Sequence, residues 1–231
     1  MKFEKTEVFN FEGALRGMRN PLESWDKGDS GEDIEEHFGY TISKYIIGQN
    51  DLELAQKLIR AGSVHRKFLR QIFVSVDITA PIYWWKEFDT YKVGTVANST
   101  STMHKLATTP ITLDCFEMDD YSDLPCDLES DEDMTPFLCE MWSDMIHYLE
   151  NLRQKYNETK DKRYWKELIR LLPESWLQKR TVTMNYENIL SMCSKGQRRN
   201  HKLTEWSKSF IDWAKTLPYA EELLFIESYN N

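Results

Sequence analysis

Five histidines, four cysteines and a run of acids are the side chains of this 231-residue chain whose chemistry goes beyond packing. The histidines (His37, His65, His104, His147, His201) never form the H-x-x-x-H pair that sets two imidazoles on one helical face for a metal. Taken singly, a histidine is more often structural or at the surface than catalytic. The cysteines (Cys115, Cys126, Cys139, Cys193) form no C-x-x-C pair, so zinc is not expected. With no apolar leader after Met1, they read as reduced thiols of a cytoplasmic protein. Spacing supports no Ser/His/Asp or Cys/His constellation, and neither G-x-G-x-x-G nor a P-loop occurs. Asp127-x-Glu129-x-Asp131-x-Asp133 looks like a calcium loop but lacks Gly at position six and has Leu138, not a bidentate Glu, at position twelve. A solvated loop is the expected reading. Trp84 and Trp85, adjacent on an expected helix, diverge by about 100°. At most one would face a planar ligand, and burial in the core is the stronger expectation.

Hydrophobic residues make up 41% and aromatics 13%, enough for a packed core. The net charge of −9 is uneven: ten of the 38 acids lie between Asp114 and Asp133, where no Lys or Arg occurs, leaving 28 acids against 29 basic residues elsewhere. That acidic loop, at about 113–134, reads as a device for solubility. No apolar run reaches 18 residues, so no membrane-spanning helix is expected. The near-neutral remainder lacks the basic block of nucleic-acid binders; the run 195–202 is the one candidate.

These residues need elements to hold them. With no internal repeat and no long linker, the chain reads as one domain, 1–231. Ile34, Phe38, Tyr40, Ile42, Tyr45, Ile46 and Ile47 predict a helix over 32–47 with one buried face. Gln49-Asn50-Asp51 opens a second helix, with Leu52, Leu54, Ala55, Leu58 and Ile59 inward and Gly62 at its stop. Gln71–Thr79, alternating through Ile72, Val74, Val76 and Ile78, is the clearest strand. Ala80-Pro81 then leads into a helix over about 80–91. The hydroxyl- and amide-rich stretch 90–102 has poor helix propensity. Thr135-Pro136 predicts the cap of a helix running to about 157, and shorter helices are expected at 162–172 and 185–194. A last helix, 201–217, carries Leu203, Trp206, Phe210, Trp213, Ala214 and Leu217 on one face. Helices with a few strands predict an α+β fold.

The strand followed by Ala80-Pro81-Ile82 and a helix resembles the centre of the flavin-dependent thymidylate synthases, where that helix leads into an Arg-His-Arg-x-x-Ser-x-Asn-Glu-x-Ser-x-Arg signature. His65 sits at the spacing of the His that opens the family's preceding segment. Leu172-Pro173 leads at the family's spacing to Thr183-Met184-Asn185. After a one-residue insertion, Asn200-His201 and Glu205 fall on the family's Ser-His and Glu. The likeness runs from about 50 to 217. The signature departs: Thr90-Tyr91-Lys92 stands for Arg-His-Arg, and Thr95, Ala97-Asn98, Thr100 and Thr102 stand for the Ser, Asn-Glu, Ser and Arg. Upstream, Lys67 and Arg70 replace the family's Thr and Glu. Arg grips phosphate with a planar fork that Lys and Thr do not reproduce.

The resemblance implies a helix-rich α+β fold with a small, mainly antiparallel sheet. It implies an FAD-dependent enzyme that methylates dUMP to dTMP with methylenetetrahydrofolate and NADPH, working as a homotetramer with flavin at subunit interfaces. No protein nucleophile is needed, because the cofactor carries the chemistry. By residue match or proximity to it, Asn185, His201, Lys92 and Asn98 are expected at the cofactor. Ser99, Thr100, Thr102, Lys86, Arg170 and Arg199 are expected at the nucleotide, with hydroxyls and nearby N–H groups donating to its phosphate. No catalytic residue and no metal are assigned. Asn185 and His201 are equally readable as residues that cap or stabilise helices. The altered signature also implies two alternatives: a non-catalytic binding or regulatory descendant, or a flavin enzyme acting on another pyrimidine nucleotide.

Overall fold

A computed structural model describes residues 1–37, 40–119 and 134–226, with backbone alone at 35–37, 40–42 and 134–139. The calcium-like pattern 127–133, most of the acidic loop, Cys126, Phe38 and the side chains of Phe137, Leu138 and Cys139 lie outside the described residues.

Strand β1 (Lys2–Phe9) precedes helix α1 (Phe11–Arg19), and strands β2 (Gly31–His37) and β3 (Tyr40–Ile46) precede α2 (Gln49–Arg60). Strand β4 (Phe73–Pro81) runs into α3 (Ile82–Phe88), followed by β5 (Val96–Ser99) and α4 (Thr102–Lys105). Helices α5 (Met134–Thr159) and α6 (Lys162–Leu171) lead to β6 (Leu177–Asn185) and α7 (Tyr186–Met192); α8 (Ile211–Lys215) and α9 (Ala220–Leu223) come last. The sheet order is β1-β4-β6-β5, with β2-β3 a separate antiparallel pair. Helices beside a small sheet make an α+β fold, as the sequence predicts.

Two compact units divide the chain. One comprises Met1–Lys2, Ile78–Thr90 and Asn98–Arg180; the second comprises Phe3–Asp77, Tyr91–Ala97 and Thr181–Asn231. In the first unit, α5 and α6 bury Leu149, Leu152 and Leu168 with Phe116 and Trp176. Trp84 and Trp85 are both fully buried, and the Trp85 indole N–H donates to the Gln178 carbonyl at 2.9 Å, so the core expectation for this pair holds. In the second unit, α1 and α7 pack on the 3₁₀ segment Lys67–Gln71. Phe11 meets Tyr186 edge-on at 5.6 Å. Cys193 is buried there, which pushes its thiol up to about 12 and leaves it inert.

Several elements follow directly from local pattern. In β4 the alternate residues Val74, Val76, Ile78 and Ala80 are fully buried. Helix α2 occupies the expected span, and Gly62 takes the left-handed conformation (φ +97°) that stops it. Others are corrected. The helix expected over 32–47 is instead the β2–β3 pair, registered from Gly31↔Ile46 to His37↔Tyr40. Fourfold spacing of apolar residues suggested a helix there, but Thr41, Ile42 and Ile46 are β-branched and prefer extended backbone. Ile34, placed on the buried face, is 60% exposed. Helix α5 already includes Thr135, which therefore lies inside the element. The expected helix 201–217 is a π-helical segment, Glu205–Phe210, joined to α8. Of its inward set, Trp206, Phe210, Trp213, Ala214 and Leu217 are buried and Leu203 is half-buried.

Candidate functional site

In the second unit, α1, α2 and the segment around Lys67 wall a cleft of about 750 Å³. That size suits a nucleotide-sized ligand. Its apolar side includes Leu54, Leu58 and Phe68, and its titratable lining is Arg19, Lys27, His65 and Lys67, with no carboxylate among the described residues. Arg19 is already neutralised, since its Nε donates to Asp51 Oδ1 at 2.6 Å. A second cleft, of about 580 Å³ in the first unit, is lined by Glu150 and His147 beside Ile111, Leu113, Trp142 and Ile146. Hydrogen bonds from Arg153 outweigh burial and hold the Glu150 carboxyl down to about 2, and that guanidinium balances its charge as Asp51 balances Arg19.

The Lys67 segment is fastened to α7. Arg66 Nε donates to Glu187 Oε1 at 3.1 Å, Arg70 Nε donates to Oε2 of the same carboxylate, and the Tyr186 N–H donates to the Ile72 carbonyl at 3.0 Å. Burial pushes the Glu187 carboxyl up, but the hydrogen bonds from Arg70 and Arg66 outweigh it and hold the group below its ordinary range.

One residue before α7, Asn185 forms a capping box: the Asn188 N–H donates to Asn185 Oδ1 at 3.0 Å, and the Asn185 N–H donates to Asn188 Oδ1 at 3.2 Å. Asn188 Nδ2 reaches on to the Val93 carbonyl at 2.7 Å, so the cap also holds the loop around Gly94. Gly94 sits there at φ +80°, and a Cβ on it would lie 2.7 Å from Asn185 Nδ2. Gly94→Ala is therefore expected to cost about 1–2 kcal/mol from left-handed backbone alone. Urea unfolding measures this; an unchanged midpoint would show that the loop does not depend on the close approach.

Tyr91 is locked to the segment after α7. Arg198 lies over the Tyr91 ring at 5.5 Å and the Trp206 ring at 4.7 Å, and its Nε donates to the Tyr91 hydroxyl at 3.0 Å. His201 Nδ1 accepts from the Leu203 N–H at 3.2 Å. Arg199 stacks over Phe225 at 5.7 Å, and its buried Nη1 meets no acceptor among the described residues. Two cations of the run 195–202 thus pack on rings. Lys92 is exposed.

Of the expected site residues, the second unit holds Lys92, Asn185, Arg199 and His201, and the first holds Lys86, Asn98, Ser99, Thr100, Thr102 and Arg170. Several of the latter are engaged already. Lys86 pairs with Glu174, and Arg170 with Glu167 at 3.1 Å. The Thr100 N–H donates to the Lys179 carbonyl at 2.8 Å, so it is spent on β6. Gln178 Nε2 donates to the Thr100 carbonyl at 3.0 Å and to Thr102 Oγ1 at 3.4 Å. Asn98 and Ser99 are exposed on β5. Sequence reasoning passed over Arg66, Glu187 and Asn188 and met Arg198 only within the run 195–202; for the first three, only the Asn185-x-x-Asn188 capping spacing offered a local signal. Among the described residues no group of three or more His, Cys, Asp or Glu is placed to hold a metal, and no helix is long and apolar enough to cross a membrane.

This architecture is that of the flavin-dependent thymidylate synthases. The chain aligns with the flavin dependent thymidylate synthase ThyX from Helicobacter pylori, complexed with FAD and dUMP, at a TM-score of 0.64 and 16% identity over 99% of both chains. A second structure of Thymidylate Synthase X (ThyX) from Helicobacter pylori, with FAD and dUMP, gives a TM-score of 0.62 and 16% identity over 97% of both chains. No protein-family model and no curated protein sequence matches the chain. At this identity the likeness establishes the fold alone.

Proposed function

We propose that the protein is a divergent flavin-dependent, nucleotide-directed enzyme of the thymidylate synthase type, binding FAD and acting on dUMP, with methylenetetrahydrofolate and NADPH as co-substrates. The whole-length fold likeness to proteins holding FAD and dUMP carries this reading. A cleft of about 750 Å³ without lining carboxylates supports it, because a flavin nucleotide combines an apolar ring with negative charge. When bound and reduced, FAD supplies the hydride; the chain's residues bind and orient. His65 and Lys67 line that cleft. Asn185, whose Oδ1 caps α7, is proposed at the flavin. Lys92, exposed on the neighbouring loop, His201 and Arg199 complete the set proposed within the second unit, and Asn98, Ser99 and Thr102 are proposed separately in the first. A homotetramer in the cytoplasm belongs to the same reading.

A second reading, a binding or regulatory protein that has lost catalysis, is favoured by one observation. Tyr91, at the centre of the replaced Arg-His-Arg, is committed to Arg198. Titrating the purified protein with FAD separates the two. Tight binding with quenched flavin fluorescence, followed by dUMP-dependent NADPH oxidation and rescue of a thymidine auxotroph, is the expected result. Protein that stays colourless at saturating FAD would sink the enzyme reading.

A further inference from the structure

We propose that the cleft between α1, α2 and the Lys67 segment is a phosphate site built by this chain's own lysines, taking a nucleoside diphosphate, free or as half of a dinucleotide. It deepens the flavin reading by assigning the charged end of the ligand to Lys27 and Lys67. The protein carries a net charge of −9, yet every titratable side chain lining this cleft is basic. Arg19 is not available, being matched by Asp51. Lys27 and Lys67 make no ion pair among the described residues, whereas Lys86, Lys155 and Lys215 each sit on a carboxylate. Two ammonium groups without a carboxylate partner in one concavity favour an anion there, and Lys meets phosphate as a point charge.

The segment that carries Lys67 is tied to α7. Arg66 and Arg70, flanking it on the same segment, share the one carboxylate of Glu187. Lys67 and Arg70 also stand where the resembling family has Thr and Glu, so the positive charge belongs to this chain. The rest of the lining suits the nucleoside. Leu22 is 83% and Val64 69% exposed at the rim, and Phe68 is buried behind them. Exposed apolar side chains in a cleft that two lysines also line match a ligand with a ring at one end and a diphosphate at the other.

Calorimetric titration of the full chain with ADP, adenosine and inorganic pyrophosphate tests this, with FAD titrated separately. ADP is expected to bind at least tenfold more tightly than adenosine, and to weaken as salt rises. Pyrophosphate should compete with ADP. Lys27→Gln and Lys67→Thr should each weaken ADP about tenfold, the scale of one charge-assisted hydrogen bond, and leave adenosine unchanged. Lys67→Arg, which keeps the charge, should retain ADP binding. Both lysines are exposed, so thermal melts of the variants should match the parent. Equal affinity for ADP and adenosine, or ADP affinity indifferent to both lysines, would overturn the proposal. Lysine-dependent ADP binding without FAD binding removes the flavin reading and leaves the phosphate site standing. FAD binding indifferent to both lysines does the reverse.

Discussion

Asp51→Ala is expected to cost about 3–5 kcal/mol of stability and to lower the melting temperature by about 10 °C. Asp51 and Arg19 have side chains only 4% and 6% exposed, and their 2.6 Å contact ties α2 to α1. The second carboxylate oxygen accepts from the Asp29 N–H, the Ser30 N–H and the Ser30 hydroxyl, so the desolvated charge is fully matched. Removing the carboxylate strands a buried guanidinium that keeps a bond from Nη1 to the Ser24 carbonyl at 3.2 Å but loses its counter-charge. An uncompensated buried charge costs far more than the pair contributes, so replacing both partners by Met and Leu should recover most of the loss. The pair also sets an acid limit. Burial pushes the Asp51 carboxyl up, but hydrogen bonds from Ser30, Arg19 and the Asp29 N–H outweigh it and hold the group below its ordinary value. A depressed carboxyl stabilises fully above its unfolded value of about 3.9, and that contribution disappears as pH falls through the folded value. Stability measured by urea melts between neutral pH and pH 2 should therefore fall less steeply in Asp51→Ala than in the parent. Parallel curves would show that Asp51 is not depressed.

Glu187→Gln is the second large effect, about 3 kcal/mol, with a loss of ligand affinity beyond what stability explains. The carboxylate is 13% exposed, accepts from both Arg66 and Arg70, and lies in the first turn of α7, where a negative charge also complements the helix dipole. Arg70 is 52% exposed and relaxes into water, so most of the cost comes from Arg66, which is 8% exposed. Exposed pairs such as Arg16–Glu12, at 66% and 69%, should contribute close to nothing by comparison. Gln keeps the volume but loses the charge that fastens the Lys67 segment to α7. Nucleotide affinity at low denaturant should therefore drop even where the variant is fully folded. Unaltered affinity in a folded variant would confine Glu187 to a purely structural role.

Some of this was legible residue by residue. Val74, Val76, Ile78 and Ala80 alternate because one face of β4 is buried along its whole length, and a period of two survives in sequence without any knowledge of its neighbours. Trp206, Phe210 and Trp213 were placed inward correctly although the turn holding them is π-helical, because burial follows the face more than the winding. Strand β6 was not legible. Leu177–Arg180 is half-buried and mixed in character, so the strand shows no alternation until Val182 and Met184 go under. The pair β2–β3 misled because four-residue spacing of apolar groups is shared by a helix and by two short strands read end to end.

The site divides along the same line. Sequence alone determined the chemistry on offer: no metal motif, no nucleophile constellation, and, at 90–102 and at Lys67 and Arg70, residues that differ from those of the family it resembles. Only the tertiary structure decided which of those cations are free to act. Arg70 meets a carboxylate 117 residues away, and Arg198 meets a tyrosine 107 residues away. Lys27 and Lys67, 40 positions apart in sequence, line one cleft without partners among the described residues. Pairing of this kind depends on Coulomb and hydrogen-bond contacts that act over a few ångströms in space and leave no period in the chain, so charge could be counted from the sequence but assigned only in the fold.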